Sequence, residues 1–278
     1  MGVMKQGITL IATGHPNYGK LAYNLALTIK TAGENTPVAI VHTGLEHLTE
    51  SQKAIFDYLI PLPENFRDGF GAKLHLDELT PFDKTLFLDA DMLWLGRKPS
   101  QLFAELDGTE FTSITEGNSE AINYKYYFWA EPQEIKDQYK VDKVWQIRSE
   151  VMYFERGTKV FSKARSLKPE TKLKTIRKFG EAIPDELYFN IATALLKIDP
   201  HMPSWMPAYW ARLHGEIMPP LKDLHNDYYL LSFGSNQASS IMRKTYDNVM
   251  QVAAYKLGLP YLFKLKSKRE WAPDRLKI

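Results

Sequence analysis

Short apolar runs alternate with helix-spaced stripes over the first hundred residues. Residues 8–12 have the unbroken apolar character of a buried parallel strand. From Leu21 the spacing turns helical, with Leu21, Leu25 and Ile29 on one stripe and Gly33 as the stop. Residues 38–41 predict a second strand. Residues 49–58 predict a second helix, opened by a capping box of Thr49 and Gln52. A third strand follows at 59–62, a helix at 72–79 and a fourth strand at 85–88. Strands and helices in this alternation predict an α/β fold, with a mostly parallel sheet and helices on both faces.

Beyond residue 95 the pattern loosens. Residues 99–106 predict a helix entered through Pro99, and 111–115 a strand. Residues 116–146 are polar and aromatic (Tyr124, Tyr126, Tyr127, Phe128, Trp129) and read as a loop-rich insertion over a site. Residues 151–154 predict a strand and 185–198 a helix with Leu187, Ile191, Ala194 and Leu195 on one stripe. Four prolines and two tryptophans make 201–220 an irregular stretch. A strand at 228–233 and a helix at 238–257 complete the pattern. No repeat or linker interrupts it. The expected organisation is one α/β domain over 1–235, with a basic helical extension, 236–278, packed on the same domain.

Composition narrows the classes. Of 278 residues, 44% are hydrophobic and 24% charged, which is globular and excludes disorder. No apolar run approaches the roughly 20 residues of a membrane helix. The apolar stretch at 8–12 is too short for a signal-peptide core. The absence of cysteine excludes disulfides, cysteine zinc sites and thiol catalysis. A cytoplasmic location is the expectation these features set. Net charge is only +2, but it is unevenly spread. Residues 156–181 carry nine Lys or Arg against two acids, and 243–278 carry nine against three. Such runs suit an anionic partner or solvated helix faces.

The most informative segment is Lys84-Thr-Leu-Phe-Leu-Asp-Ala-Asp-Met-Leu-Trp-Leu95. An apolar strand runs into Asp89 and Asp91, which share a face if the chain stays extended. Strand ends in open α/β sheets are where ligands bind. Two hard carboxylates suit Mn²⁺ or Mg²⁺, which leave positions open for phosphate oxygens. A phosphatase of the haloacid-dehalogenase type would also use Asp-x-Asp, generally on its first strand and with Thr or Val two residues on. Here the motif lies on the fourth strand and Leu93 stands at that position, so this reading is the distant third.

The longer block Ala72-Lys-Leu-His-Leu-Asp-Glu-Leu-Thr-Pro-Phe-Asp-Lys-Thr-Leu-Phe-Leu-Asp-Ala-Asp91 resembles the donor-site block of glycogenin-like retaining glycosyltransferases. Three further blocks resemble that family in order: Thr9-Leu-Ile-Ala-Thr13 with Tyr18, then Ser149-Glu-Val-Met-Tyr-Phe154, then Asp185-Glu-Leu-Tyr-Phe-Asn190, which is similar to an Asp-Gln-x-x-x-Asn segment. The resemblance implies a GT-A type, Rossmann-like fold. It implies metal-dependent transfer of a hexosyl or pentosyl group from a UDP-sugar to an acceptor hydroxyl, with retention. Ala12, Thr13 and Tyr18 would line the uridine pocket, with Ala90 and Asp89 also against the nucleotide. Asp89 and Asp91 would hold the metal. Lys73 would lie near the donor phosphates and sugar, and Asp185 beside the sugar at the reactive face. The alternative role for Asp185 is a helix cap after Pro184.

Two departures from the family matter. Ser232 stands where it has a histidine ligand, and no lysine follows until Lys244. Ser149-Glu150 replaces an Asn and a small residue. The Ser232 departure leaves two readings: a serine, amide or water completes the ion, or the chain is a donor- or acceptor-binding protein that has lost catalysis. The basic runs give the acceptor an anionic expectation, with a modified DNA base as the specific candidate.

Overall fold

The computed structural model describes residues 5–67, 69–115, 117–120, 128–167, 172–178, 182–200, 208–210, 219–233, 240–262 and 264. Six strands form the main sheet: β1 (Gln6–Ala12), β2 (Val38–His42), β3 (Tyr58–Pro61), β4 (Lys84–Leu88), β6 (Phe111–Ile114) and β7 (Arg148–Glu155). Their order is β3-β2-β1-β4-β7-β6. β2 and β3 are parallel, Ala39 opposite Tyr58, while β7 turns antiparallel to the edge strand β6. A second sheet has the order β5-β9-β8, from β5 (Met92–Trp94), β9 (Leu230–Ser232) and β8 (Ala208–Trp210). This mixed α/β architecture with a mostly parallel central sheet is the one the alternation predicts. Among the described residues, no helix is long and apolar enough to cross a membrane.

The chain folds as two compact units. One comprises Met1–Thr9, Leu62–Phe87 and Leu106–Ser204; the other Leu10–Pro61, Leu88–Glu105 and Trp205–Ile278.

In the first unit, α6 (Val160–Leu167) and α7 (Asp185–Leu196) enclose an aromatic cluster. Phe161 meets Phe154 at 4.6 Å and Phe189 at 5.4 Å, ring centre to ring centre, and all three are buried. The α6 stripe Val160, Phe161, Ala164, Leu167 has helical spacing and is buried, although the segment lies within the basic run. The insertion at 116–146 is not loop throughout. It holds α5 (Pro132–Tyr139), with Pro132 opening it and Ile135 its one buried residue. A single buried position leaves no stripe to read. Tyr124, Tyr126 and Tyr127 of that insertion lie outside the described residues. The helix expected over 72–79 is a 3-10 turn, Gly69–His75, followed by the short α3 (Leu76–Leu79). Arg165 holds it, donating to the Leu74 carbonyl at 2.6 Å and to both oxygens of Asp77.

In the second unit, α1 (Pro16–Lys30) is buried along most of its length, from Leu21 to Ile29. Thr28 reaches β5, accepting from the Trp94 amide at 2.9 Å. The capping box of Thr49 and Gln52 forms, but its helix, α2 (Glu50–Lys53), is only one turn. Asp57 explains the stop. Its carboxylate accepts from the Val38 amide and from Lys30, each at 2.7 Å, and draws the chain into β3 at Tyr58. β5 and β8 are additions to the predicted pattern, as is α8 (Leu221–Asp227). The long α9 (Ser240–Leu257) packs through Tyr246, whose hydroxyl accepts from Asn24 of α1 at 2.7 Å.

Candidate active site

The second unit carries the residues assigned to the nucleotide. β1 ends at Ala12, whose carbonyl accepts from the Thr43 amide at 3.3 Å. Gly14 then turns at φ 78°, with its amide donating to the Thr43 hydroxyl at 3.1 Å. That turn delivers the chain into the first turn of α1, where His15 caps by accepting from the Asn17 amide and Pro16 sets the first helical φ. Thr13 is half-buried and Tyr18 is 42% exposed in that first turn. Ala12, Thr13 and Tyr18 are thus gathered where a strand's carboxyl end meets a helix N-terminus. Both features favour a phosphorylated ligand.

Asp89 and Asp91 do not lie in an extended chain. β4 ends at Leu88, Ala90 and Asp91 form a turn, and Met92 opens β5 in the other sheet. The face-sharing argument for extended residues therefore does not apply; a turn around the buried Ala90 separates the two half-buried carboxylates. Backbone pairing fixes the far side of that turn. Met92 is opposite the buried Ser232, and the Phe233 amide donates to the Asp91 carbonyl at 3.3 Å. Burial, with Asp247, Tyr261 and Asp91 adding negative charge nearby, pushes the Tyr246 hydroxyl pKa up. Among the described residues, no group of three or more His, Cys, Asp and Glu could hold a metal. The donor set is two carboxylates beside a serine, hard oxygens that fit Mg²⁺ or Mn²⁺. His225, already out of register with the missing ligand, has its ring nitrogen against the Leu95 carbonyl.

The first unit gathers Lys73 and Asp185 around a residue that sequence reasoning passed over. Asp185 is the first residue of α7, with Pro184 as its cap residue, and it is 4% exposed. It is not the helix cap. Its Oδ2 is buried and makes no hydrogen bond. Such an orphaned acceptor demands an explanation, and a hydroxyl donor supplies one. Lys73 is half-buried in the 3-10 turn. Its Nζ donates to the Ser149 hydroxyl at 3.2 Å and to the Ser149 carbonyl at 3.4 Å, and lies 5.4 Å above the centre of the Phe87 ring.

The residue passed over is Glu186. Its Oε2 accepts from the Trp129 indole and its Oε1 from the Ser149 amide at 3.4 Å. Glu186 as a residue is half-buried, but its carboxyl end is turned into the protein, and burial pushes its pKa up to about 7. Asp185 and Glu150 add to the rise, while the Trp129 hydrogen bond and Lys73 oppose it. Asn190, fully buried one turn further along α7, accepts from the Ile147 amide at 2.8 Å and donates to the Phe128 carbonyl at 3.3 Å. The available signal was the Glu at 186 where the similar family segment has Gln. Its partners at 73, 129 and 149 are too far apart in sequence for any spacing rule.

No protein-family model matches the sequence, and no curated protein matches it. Solved structures do match. The apo structure of the bifunctional glycosyltransferase WbbM aligns with a TM-score of 0.56 at 11% identity, over 90% of this chain and 50% of that one. The galactosyltransferase LgtC, in complex with donor and acceptor sugar analogs, aligns at 0.53 and 12% identity, over 96% of this chain and 99% of that one. Apo GlyE from Streptococcus pneumoniae TIGR4 aligns at 0.54 and 12% identity, over 99% and 64%. The chain spans half of the WbbM chain. The fold is that of GT-A glycosyltransferases.

Proposed function

We propose that the chain transfers a sugar from a UDP-sugar donor to an acceptor hydroxyl, with retention and with the help of a divalent cation. The observation that carries this reading is Asp185: a buried carboxylate oxygen with no donor, on a GT-A scaffold, in the same cluster as Lys73. A sugar is a dense array of hydroxyl donors, and one of them would satisfy Oδ2. UDP and retention rest on the resemblance of four blocks, 9–18, 72–91, 149–154 and 185–190, to the glycogenin-like family.

Ala12, Thr13 and Tyr18 would receive the nucleotide at the head of α1. Asp89 and Asp91 would hold the divalent cation, which when bound neutralises charge on the diphosphate. Lys73 would place a positive charge where the departing diphosphate gains negative charge. Asp185 would fix the sugar by accepting from a hydroxyl. Fixing its orientation raises the rate by removing motions the reaction would otherwise have to restrict.

Ser232 favours a second reading, a donor-binding protein without turnover, because a hydroxyl stands where the similar family offers the cation an imidazole nitrogen. Purified protein with UDP-sugars and Mn²⁺ separates the readings. Slow release of UDP, lost in Asp89→Asn, supports transfer. Binding of donor without any UDP release supports the binding protein. Phosphate release independent of UDP would overturn both in favour of a phosphatase.

A further inference from the structure

We propose that Glu186 is a positioning residue, a clasp whose carboxyl group ties the Trp129 indole and the Ser149 amide to the first turn of α7 and so fixes that tryptophan beside Asp185. Its consequence for catalysis rests on the sugar-transfer reading; the clasp itself rests on geometry.

Trp129 needs holding. Its backbone sits at φ 62°, a left-handed conformation that a bulky side chain keeps only when its surroundings impose it. Every residue from 128 to 131 except Ala130 has a polar tether. Asn190 takes the Phe128 carbonyl, and the Arg177 amide donates to the Trp129 carbonyl at 2.8 Å. The Arg177 guanidinium lies 5.4 Å from the Trp129 ring centre, and the Glu131 amide donates to Thr175 at 2.8 Å. Glu186 is the contact that orients the indole itself.

A carboxylate suits this place better than the amide of glutamine. Both groups facing it, the indole and the Ser149 amide, are N–H donors. A carboxylate offers each an oxygen, whereas a glutamine would turn its NH₂ toward one of them. Ser149 then extends the clasp, because its hydroxyl and carbonyl receive Lys73. One side chain thereby links the tryptophan, the Lys73 contact and the carboxylate of Asp185.

The clasp is coupled to a proton. The charged groups that bear on Glu186 are Asp185 on its own helix, Glu150 on β7 and Lys73 on the 3-10 turn. The nearby cation of α6, Arg165, is taken up by Asp77 and Glu78, and Glu134 of α5 by the Lys174 and Thr175 amides. With burial dominant, the carboxyl group titrates at about 7. Ionised, it accepts from both donors. Protonated, one oxygen carries a hydrogen, becomes a donor and is a weaker acceptor for the N–H facing it. The clasp therefore tightens as pH rises through neutrality.

Tryptophan emission of the full chain, titrated from pH 5 to 9 without any substrate, tests this. Wild type should pass through a one-proton transition near pH 7 that disappears in Glu186→Gln and in Trp129→Phe. No transition in wild type, or one that survives in either variant, overturns the clasp. If Glu186→Gln does not fold, Trp129→Phe decides alone. With a donor that is turned over, kcat of wild type should rise through pH 7, and Glu186→Gln should lose that rise while keeping UDP affinity within about twofold. Equal loss of UDP affinity would mark general damage and overturn the positioning role. Failure of sugar transfer alone leaves the emission result standing, so the two readings fail separately.

Discussion

The Asp89–Asp91 turn and the Asp185–Glu186 cluster hold carboxylates by opposite means. The turn is local: three consecutive residues between β4 and β5, with the backbone of Asp91 fixed by the Phe233 amide and both side chains half-buried. The cluster is assembled from four separate segments at 73, 129, 149 and 185–186, and its carboxyl groups sit among side chains that satisfy one of them and leave an oxygen of the other unsatisfied. A turn between two strands keeps both its carboxylates half-buried, within reach of solvent. An enclosed cluster raises the cost of charge, which suits groups that orient a neutral substrate or respond to a proton.

The sharpest way to break the comparison is to remove charge at the turn. Asp89→Asn and Asp91→Asn should each lower UDP release by about a thousandfold or more while leaving the fold intact, because the loss falls on charge stabilisation at the diphosphate. Circular dichroism should be unchanged, and excess Mn²⁺ should restore little. Near wild-type turnover at limiting Mn²⁺ would remove Asp-x-Asp from the mechanism.

Asp185→Asn comes next. Asparagine keeps the shape but replaces an acceptor oxygen by a donor or a weaker acceptor. The transfer rate should fall by about a hundredfold with UDP affinity changed by less than about threefold. A parallel fall in UDP affinity would place Asp185 with the turn rather than against it.

These two sites also mark how much was legible. The motif could be read directly, since three apolar residues of β4 followed by Asp-Ala-Asp is a contiguous signal; its expected extended face is a turn instead. The helix start at Asp185 could be read because Pro184 and the stripe of Leu187 and Ile191 announce it, whereas its place beside a sugar came from the family resemblance alone. Glu186 could not. Its meaning comes from Trp129 and Ser149, which pattern arguments place in a loop and just ahead of a strand, with no stated relation. The same holds for the fold. α1, β2 and α4 (Pro99–Leu106) carry full stripes or runs and were predicted within a few residues. α5, β8 and α8 lack them: α5 and α8 each bury a single side chain, Ile135 and Leu224, and β8 has three residues. Asp57 ended α2 through a side-chain contact with β2 that no local rule contains.

A smaller effect separates the two environments by pH. The Glu186 carboxyl holds its proton to about pH 7 in the folded chain, against the ordinary value of 4.5. Between those two values the folded state binds more proton than the unfolded state, so this group makes stability fall as pH rises from about 4.5 to about 7, with no further change above. Glu186→Gln should narrow the gap in unfolding free energy between pH 5 and pH 8 by about 1–2 kcal/mol, a figure reduced because the residue is partly open to solvent. Denaturant titrations at the two pH values measure it. An unchanged gap would show that burial does not govern the Glu186 carboxyl group.

The smallest expected effect concerns the acceptor. The basic run at 156–181 counts nine cations in sequence, but the structure commits some of them internally. Arg156 pairs with Asp83 at 2.8 Å, and Arg165 pairs with Asp77 at 2.6 Å and Glu78 at 2.9 Å. Lys159 remains exposed and Lys163 half-buried, while Lys244 and Lys256 on α9 are exposed. A phosphate backbone therefore meets fewer cations here than the count implies. Each phosphate neutralised on duplex DNA contributes about 0.9 to the slope of log K against log salt. Binding through a few exposed lysines should give a slope of about −2 to −4, well short of the roughly −6 that seven contacts would produce. Lys159→Glu with Lys163→Glu should flatten that slope by about 2, whereas Arg156→Ala should barely move it, because its charge is already answered by Asp83. A slope near zero, or no binding at low salt, would leave these lysines as solvated helix faces and turn the search for an acceptor to neutral glycans and proteins.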